Sequence, residues 1–339
     1  MLKRRKIWVP EPNVAELVSD QFDASLASPS QVLVRNHYSH ISAGTELACI
    51  AGSESFFTIP DTPGYTAVGE IMKKGSAVEH LKEGDLVYTY GPHAEYFIID
   101  VEDRWHGICV KLPEGLDPAL ASFTHIAGIA MTSLRNSKVE LGDHVLVTGQ
   151  GAIGILAAQL IQLQGGDVLA SDVVDRRLEI ARKCGITSTV NPFKTNLKAF
   201  VEERTGGALV SSYIDASGQA SVVEQSLDLL ALYGEVILLG SPRAPYETNL
   251  TDHLKHFHNL PWCQTMKGAL EFSYPTHECE FVKHSIERNA RIILDLILKE
   301  KLLVKPLFSH KISPDEIQSA YKGLRERPEE YIGVVIDWS

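Results

Sequence analysis

Hydrophobic and polar positions fall into three regimes along the 339 residues. From residue 5 to about 128 they switch over short runs. "QVLVRNHYSHIS" alternates near its start, and "GDLVYTYGPHAEYFIID" reads as a hairpin-like pair around Gly91-Pro92. Pro60, Pro63-Gly64, Gly75, Gly84, Pro113 and Gly115 punctuate these runs, which predicts a compact β-rich domain over 1–128.

Near residue 118 the rhythm changes. "DPALASFTHIAGIAMTSLRNS" is apolar almost all round and of helical length, with Asp117 placed to cap it and Pro118 at its first position. Strand and helix then alternate. Strands are expected at 144–149, 167–172, "ITSTVN", 211–218 and 235–240. Helices are expected at 152–164, "DRRLEIARKCG", "KTNLKAFVEERTGG" and "SVVEQSLDLLALYG". Such alternation builds a parallel, doubly wound sheet, here over 129–272. The remainder, 273–339, predicts a helix at 278–300, one at 314–325 and short strands in "FSHKIS" and "GVVIDW". It is long enough to return to the first domain.

Gly149-Gln-Gly151-Ala152-Ile153-Gly154 lies between the first strand and first helix of the alternating region, and Asp172 ends the next strand. In that context the glycines are a dinucleotide fingerprint. Gly149 permits the tight turn, Gly151 admits a pyrophosphate to the backbone, and Gly154 lets helix and strand pack closely. The helix N-terminus offers N–H groups to the phosphates. Asp172 can accept from both ribose hydroxyls and repels a 2′-phosphate, which favours NAD over NADP. Arg176 and Arg177 follow closely and soften that preference, so NADP stays possible.

Composition narrows the partners. A formal net charge of −11 disfavours nucleic acid or an anionic membrane, and no apolar run reaches the ~18–20 residues of a membrane span. The basic start MLKRRKIWVP lacks the apolar core of a signal peptide. The five cysteines never form C-x-x-C, which suits free thiols in a reducing cytoplasm. A small-molecule substrate is the expected partner.

Taken in order, these segments resemble the medium-chain dehydrogenase/reductase superfamily. "GDLVY", "AEYFIID", "KLPEGLDPALAS", "LGDHVLVTGQGAIG", "IDASG", "GEVILLG" and the tail "DLILKEKLLVKPLFSHKISPDEIQSAYKGL" carry the likeness across nearly the whole chain. The resemblance implies a GroES-like β-barrel catalytic domain joined to a Rossmann domain. It also implies a homodimer or homotetramer formed through the edge strand in "WCQTMKGALEF", and a nicotinamide beside Ala216, Ser217, Leu239, Gly240 and Ser241.

Zinc members of that superfamily carry a Cys in I-C-G-[ST]-D, a His-Glu pair in G-H-E-x-x-G, and a Glu or Cys in the apolar helix. Here those positions hold Ala43, Tyr65 with Thr66, and His125. Catalytic zinc needs three protein ligands, so no zinc is expected. The cysteine-rich lobe for a structural zinc is also missing, because "VYTYGPH" runs straight into "AEYF". The pieces "YSHISAGTE" and "GYTAVG" look closest to the zinc-less subgroup that includes bacteriochlorophyllide a dehydrogenase and sorbitol-dehydrogenase-like proteins. That likeness implies NAD(H)-dependent interconversion of a secondary alcohol, from a polyol, sugar or cyclitol derivative, and its ketone.

Without a Lewis acid such chemistry needs a proton acceptor at the hydroxyl. The resemblance brings Thr45, Tyr65 and His125 together. His125 suits the acid/base, with Tyr65 polarising the oxygen and Thr45 as relay; the reverse assignment, with Tyr65 as the acid, stays open. His40, Glu46, Trp105 and the histidines of His253-Leu-Lys-His256-Phe-His258 could give a substrate polar contacts, although the last set matches no metal motif. Two other readings remain: an NADPH-dependent enoyl or quinone reductase, disfavoured by Asp172 and a missing N-P-x-D stretch, and a non-catalytic dinucleotide-binding protein.

Overall fold

The computed structural model describes residues Met1–Ser339. The chain forms two compact units, one of Met1–His125 with Tyr274–Ser339 and one of Ile126–Ser273. The elements are β1 (Leu2–Trp8), β2 (Glu16–Phe22), β3 (Gln31–Ile41), α1 (Ala43–Ile50), β4 (Ala67–Lys74), β5 (Leu86–Thr89), β6 (Tyr96–Asp100), β7 (Cys109–Lys111), α2 (Pro118–Ala121) and α3 (Thr124–Asn136). The chain goes on through β8 (His144–Thr148), α4 (Ala152–Gln164), β9 (Asp167–Ser171), α5 (Asp175–Lys183), β10 (Ser188–Val190), α6 (Leu197–Thr205), β11 (Val210–Asp215), α7 (Ala220–Ser226), β12 (Leu230–Leu238), α8 (Leu250–His258) and β13 (Thr265–Gly268). It ends with α9 (Ile286–Leu298), β14 (Phe308–Ile312), α10 (Ile317–Glu326) and β15 (Gly333–Asp337).

The first unit is a mixed seven-stranded sheet in the order β14-β15-β3-β4-β5-β7, with β6 on β3, plus the β1–β2 ribbon. The long strand β3 pairs with β4, β6 and β15, so the C-terminal strand completes a sheet begun some 300 residues earlier. Helix α10 buries Ile317, Ala320, Tyr321 and Leu324, the i, i+3, i+4, i+7 stripe of an amphipathic helix, and packs them with Ile41, Ile336 and Trp338.

The second unit is a six-stranded parallel sheet in the order β10-β9-β8-β11-β12-β13. The winding reverses between β8 and β11, so the loops leaving those two strands part there and open a crevice at their carboxyl ends. Val145, Leu146, Val147, Val168, Leu169 and Ala170 are all buried, as expected of strands covered on both faces.

Four local expectations change. The hairpin around Gly91-Pro92 is not one: β5 pairs with β4 and β7, whereas β6 pairs with β3. The apolar helix breaks at Ser122-Phe123 into α2 and α3, Asp117 capping α2 by accepting from Ala119 N at 2.9 Å. "LDLLALYG" leaves the helix after Ser226 and becomes the start of β12, because Leu230 pairs with Val210 and buries its side chain. Residues 278–285 precede α9, which starts where the Ser285 hydroxyl accepts from Arg288 N at 3.0 Å. Two helices form where the pattern predicts none, α1 and α8.

Candidate active site

At the switch point the glycine loop joins β8 to α4. Gly149 turns with φ +84, and a Cβ there would stand 2.8 Å from Ser217 N in the β11 turn. A Cβ on Gly154 would stand 1.8 Å from Gly149 O, so no other residue closes this strand–helix contact. Gly151 caps α4 with no side chain across its N-terminus and nothing within 4 Å of where a Cβ would be. The cradle with its N–H groups fits a dinucleotide pyrophosphate, with Ala152 and Ile153 in the first helical turn.

Asp172 is buried, and each of its oxygens already takes a backbone N–H: Oδ2 from Gln150 at 2.6 Å and Oδ1 from Val174 at 2.7 Å. It therefore clamps the loop to the end of β9, and one acceptor site per oxygen remains for ribose hydroxyls. Arg177 approaches it at 3.7 Å. The second loop, after β11, is built on Asp215, whose carboxylate accepts from Ser217 N, Ser217 Oγ and Gly218 N at 3.1, 2.6 and 3.2 Å. Burial pushes the Asp215 carboxyl up from its ordinary value, against those hydrogen bonds. Leu239 and Gly240 both donate to the Asp215 carbonyl, which seats the Ala216–Ser217 and Leu239–Ser241 turns side by side.

In the first unit the rings of Tyr65 and His125 meet at 4.8 Å between centroids, and Tyr90 stacks on His125 at 4.4 Å and 21°. His125 Nδ1 lies 3.1 Å from the Tyr65 carbonyl. A carbonyl only accepts, so Nδ1 carries the hydrogen, and in the neutral ring Nε2 holds the lone pair. Thr45 lies in the first turn of α1, partly exposed, and no hydrogen bond ties its hydroxyl to either ring. The structure thus brings together two of the three expected side chains and adds Tyr90, which the sequence pattern gave no reason to single out.

Behind these residues runs a buried polar chain. Trp338 Nε1 donates to Ser39 Oγ at 2.9 Å, Ser39 meets His93 Nδ1 at 2.8 Å, and His93 Nε2 meets Glu46 Oε2 at 2.9 Å. Tyr321 donates to the same Glu46 oxygen at 2.7 Å, and Ser42 N donates to Oε1 at 2.8 Å. Trp338 can only donate, so with His93 neutral the donors run in one direction and end on the carboxylate. Burial first, and then the Glu46 charge, hold the Tyr321 phenol far above its ordinary value, so it stays a donor. Glu46 is spent inside the protein, in a structural role rather than as the polar substrate contact it could have given. Trp105 is half-exposed.

His40 differs from these groups. It is 2% exposed, packs edge-on against Phe123 at 4.7 Å, and neither ring nitrogen has a hydrogen-bond partner. Burial, then the nearby His93 and His125, lower its pKa to about 3. An unfolded chain takes up this proton near pH 6.5 while the folded one refuses it. Stability tied to His40 is therefore fully present above pH 6.5 and declines as pH falls toward 3. At about 1.4 kcal/mol per pH unit, His40 alone costs about 2 kcal/mol between pH 7 and 5. His37 and His310, also lowered by burial, act in the same direction. Urea unfolding of wild type and His40→Leu at both pH values should show a shallower acid decline in the variant; equal slopes would remove His40 as a source.

Residues 28–114 match the family model of the alcohol dehydrogenase GroES-like domain, and residues 152–275 match that of the zinc-binding dehydrogenase. The chain belongs to the medium-chain dehydrogenase/reductase superfamily. Among its relatives in that superfamily, D-guloside 3-dehydrogenase of Escherichia coli is 29% identical over 279 residues, covering 75% of this chain and 79% of that protein. L-threonine 3-dehydrogenase of Pyrococcus abyssi is 27% identical over 260 residues, covering 67% and 72%. The solved galactitol-1-phosphate dehydrogenase of Escherichia coli superposes with a TM-score of 0.84 over 98% of this chain and 99% of that one, at 17% identity, which speaks for the fold. The chain is a dehydrogenase acting on CH–OH groups.

The superfamily's catalytic zinc does not fit these residues. Ala43 offers no donor atom, His125 Nδ1 is turned to a carbonyl, and no group of three His, Cys, Asp or Glu side chains anywhere in the structure could hold a metal ion. The histidines of 253–258 lie on α8, capped by Asn249, and pair with carboxylates instead: His253 with Glu224 at 3.0 Å and His256 with Asp228 at 3.8 Å. No helix is long and apolar enough to cross a membrane.

Proposed function

We propose that this dehydrogenase is zinc-independent and NAD(H)-dependent, and that it interconverts a secondary alcohol of a polyol, sugar or cyclitol derivative with its ketone. The observation that carries this reading is the 3.1 Å contact of His125 Nδ1 with the Tyr65 carbonyl, which favours the tautomer with its lone pair on Nε2. When bound at the glycine loop, the nicotinamide supplies the hydride acceptor. His125 takes the hydroxyl proton as the C–H bond gives up its hydride, and returns it in the reverse direction. The Tyr65 phenol hydrogen-bonds the substrate oxygen, Tyr90 holds the imidazole plane, and Thr45 orients a neighbouring hydroxyl.

Asp172, buried just after β9 with an acceptor site left on each oxygen, supports NAD over NADP. The substrate class draws on the relatives acting on a guloside and on L-galactonate. Five free cysteines suit the cytoplasm. The exposed edge strand β13, with Met266 on it at 42% exposure and Leu270 just beyond it at 68%, supports pairing with further copies as a homodimer or homotetramer, which light scattering would register as two or four times the monomer mass.

The test is turnover on a polyol and glycoside panel, with the protein stripped by a strong chelator. Oxidation of a secondary alcohol should persist after stripping, and NAD should exceed NADP by about tenfold or more, the worth of one charge-assisted contact. Activity lost with the metal and restored by zinc would overturn the proposal.

A further inference from the structure

His93 is fully buried, and both its nitrogens are engaged, one by Ser39 and one by Glu46. It has no nitrogen left for a substrate or for a proton from outside. Its position is nevertheless tied to the candidate base by contacts that lead one into the next.

His93 N donates to the Pro63 carbonyl at 2.8 Å. The ring lies flush against the next residue: a Cβ on Gly64 would stand 2.6 Å from His93 Cγ, and Gly64 turns there with φ +97. The residue after Gly64 is Tyr65, whose carbonyl accepts from His125 Nδ1 at 3.1 Å. Glu46 holds His93 from behind and is itself held by Tyr321 and Ser42. The ring thus acts as a buttress against Gly64 while the His93 backbone holds Pro63, and the next residue, Tyr65, presents a backbone acceptor that favours one nitrogen of His125 as the proton carrier.

We infer that His93 is a positioning residue for His125, acting through the Pro63–Tyr65 backbone to lock the tautomer in which Nε2 is the base. This inference rests on the reading of His125 as acid/base, but its primary readout does not. The two neutral tautomers of imidazole are close in energy, so a misplaced carbonyl lets the second one populate. The second form puts a hydrogen on Nε2 and cannot accept a proton there.

The experiment is long-range ¹H–¹⁵N correlation of the ¹⁵N-histidine-labelled full-length protein, with the His125 signals assigned by their loss in His125→Gln. In its neutral form, His125 in the wild type should be the Nδ1–H tautomer. In His93→Phe it should become a mixture, with kcat down about tenfold and KM for NAD unchanged. In His93→Gln, which still offers a donor to Glu46 and an acceptor to Ser39, the wild-type tautomer should return. Should His93→Phe not fold, Tyr321→Phe removes one support of Glu46 and should give a smaller change of the same sign. An unaltered His125 tautomer in folded His93→Phe, or in Tyr321→Phe if that is the variant that folds, overturns the inference. If His125→Gln keeps full activity, the acid/base reading fails while the tautomer result still decides the role of His93.

Discussion

Replacing His125 by asparagine is expected to lower kcat by about 10²–10⁴-fold, the usual worth of a positioned proton acceptor, while NADH binds almost as before. The separation follows from where the groups lie. The glycine loop, Asp172 and the Asp215 turn belong to the second unit, whereas His125, Tyr65 and Tyr90 belong to the first. In the proposed roles, loss of the imidazole removes the proton acceptor and leaves the glycine loop intact. Fluorescence titration with NADH reads the binding, and single-turnover kinetics read the chemistry. Tyr65→Phe is the informative companion. It deletes the phenol but retains the carbonyl that holds Nδ1, so its loss should be smaller. A larger loss in Tyr65→Phe than in His125→Asn would make the tyrosine the acid. Wild-type kcat in both would leave neither as a catalytic residue.

The pattern of apolar residues disclosed the two architectures because each has its own period. Alternating units of strand and helix, with glycines at one strand–helix turn, leave few topologies open, and the order β10-β9-β8-β11-β12-β13 follows from right-handed crossovers on both sides of β8. Tyr65 and His125 were reachable only through family positions, since nothing in "TPGYTAVG" or in an apolar helix sets a ring beside another 60 residues away. The errors have a common cause. "GPHAEYF" looks like a turn between paired strands, but β6 leaves β5 for β3, and the departure frees His93 to turn inward. α1 was invisible because its buried face includes Glu46, an acid that no hydrophobic pattern assigns to a core. "LALYG" carried helical residues into a strand because pairing with β11 outweighs local propensity. Polar networks such as this one are specified by partners far apart in sequence: Trp338 and Ser39, Tyr321 and Glu46.

Glu46→Ala is expected to destabilise the first unit by about 3–5 kcal/mol, the range found when one partner of a buried, hydrogen-bonded charge cluster is removed. Three donors converge on this carboxylate, from His93, Tyr321 and the Ser42 backbone, and all of them are buried. Truncation leaves each without an acceptor in a space that water enters at a cost, and each orphan is worth about 1–3 kcal/mol. Glu46→Gln should cost less, because an amide oxygen can still accept from one or two of the donors. The decisive comparison is the double variant Glu46→Ala with Tyr321→Phe. Deleting the phenol removes one of the orphans that the first change creates, so the double variant should be less destabilised than the sum of the single ones, by about 1–2 kcal/mol. Urea unfolding followed by tryptophan fluorescence measures all four proteins. Additive losses would mean that Tyr321 and Glu46 do not share an interaction, and a Glu46→Ala protein within 1 kcal/mol of wild type would mean that the network does not hold the fold. If the coupling is found, the same carboxylate that anchors the sheet to α10 also anchors His93, so fold stability and the setting of His125 rest on one buried charge.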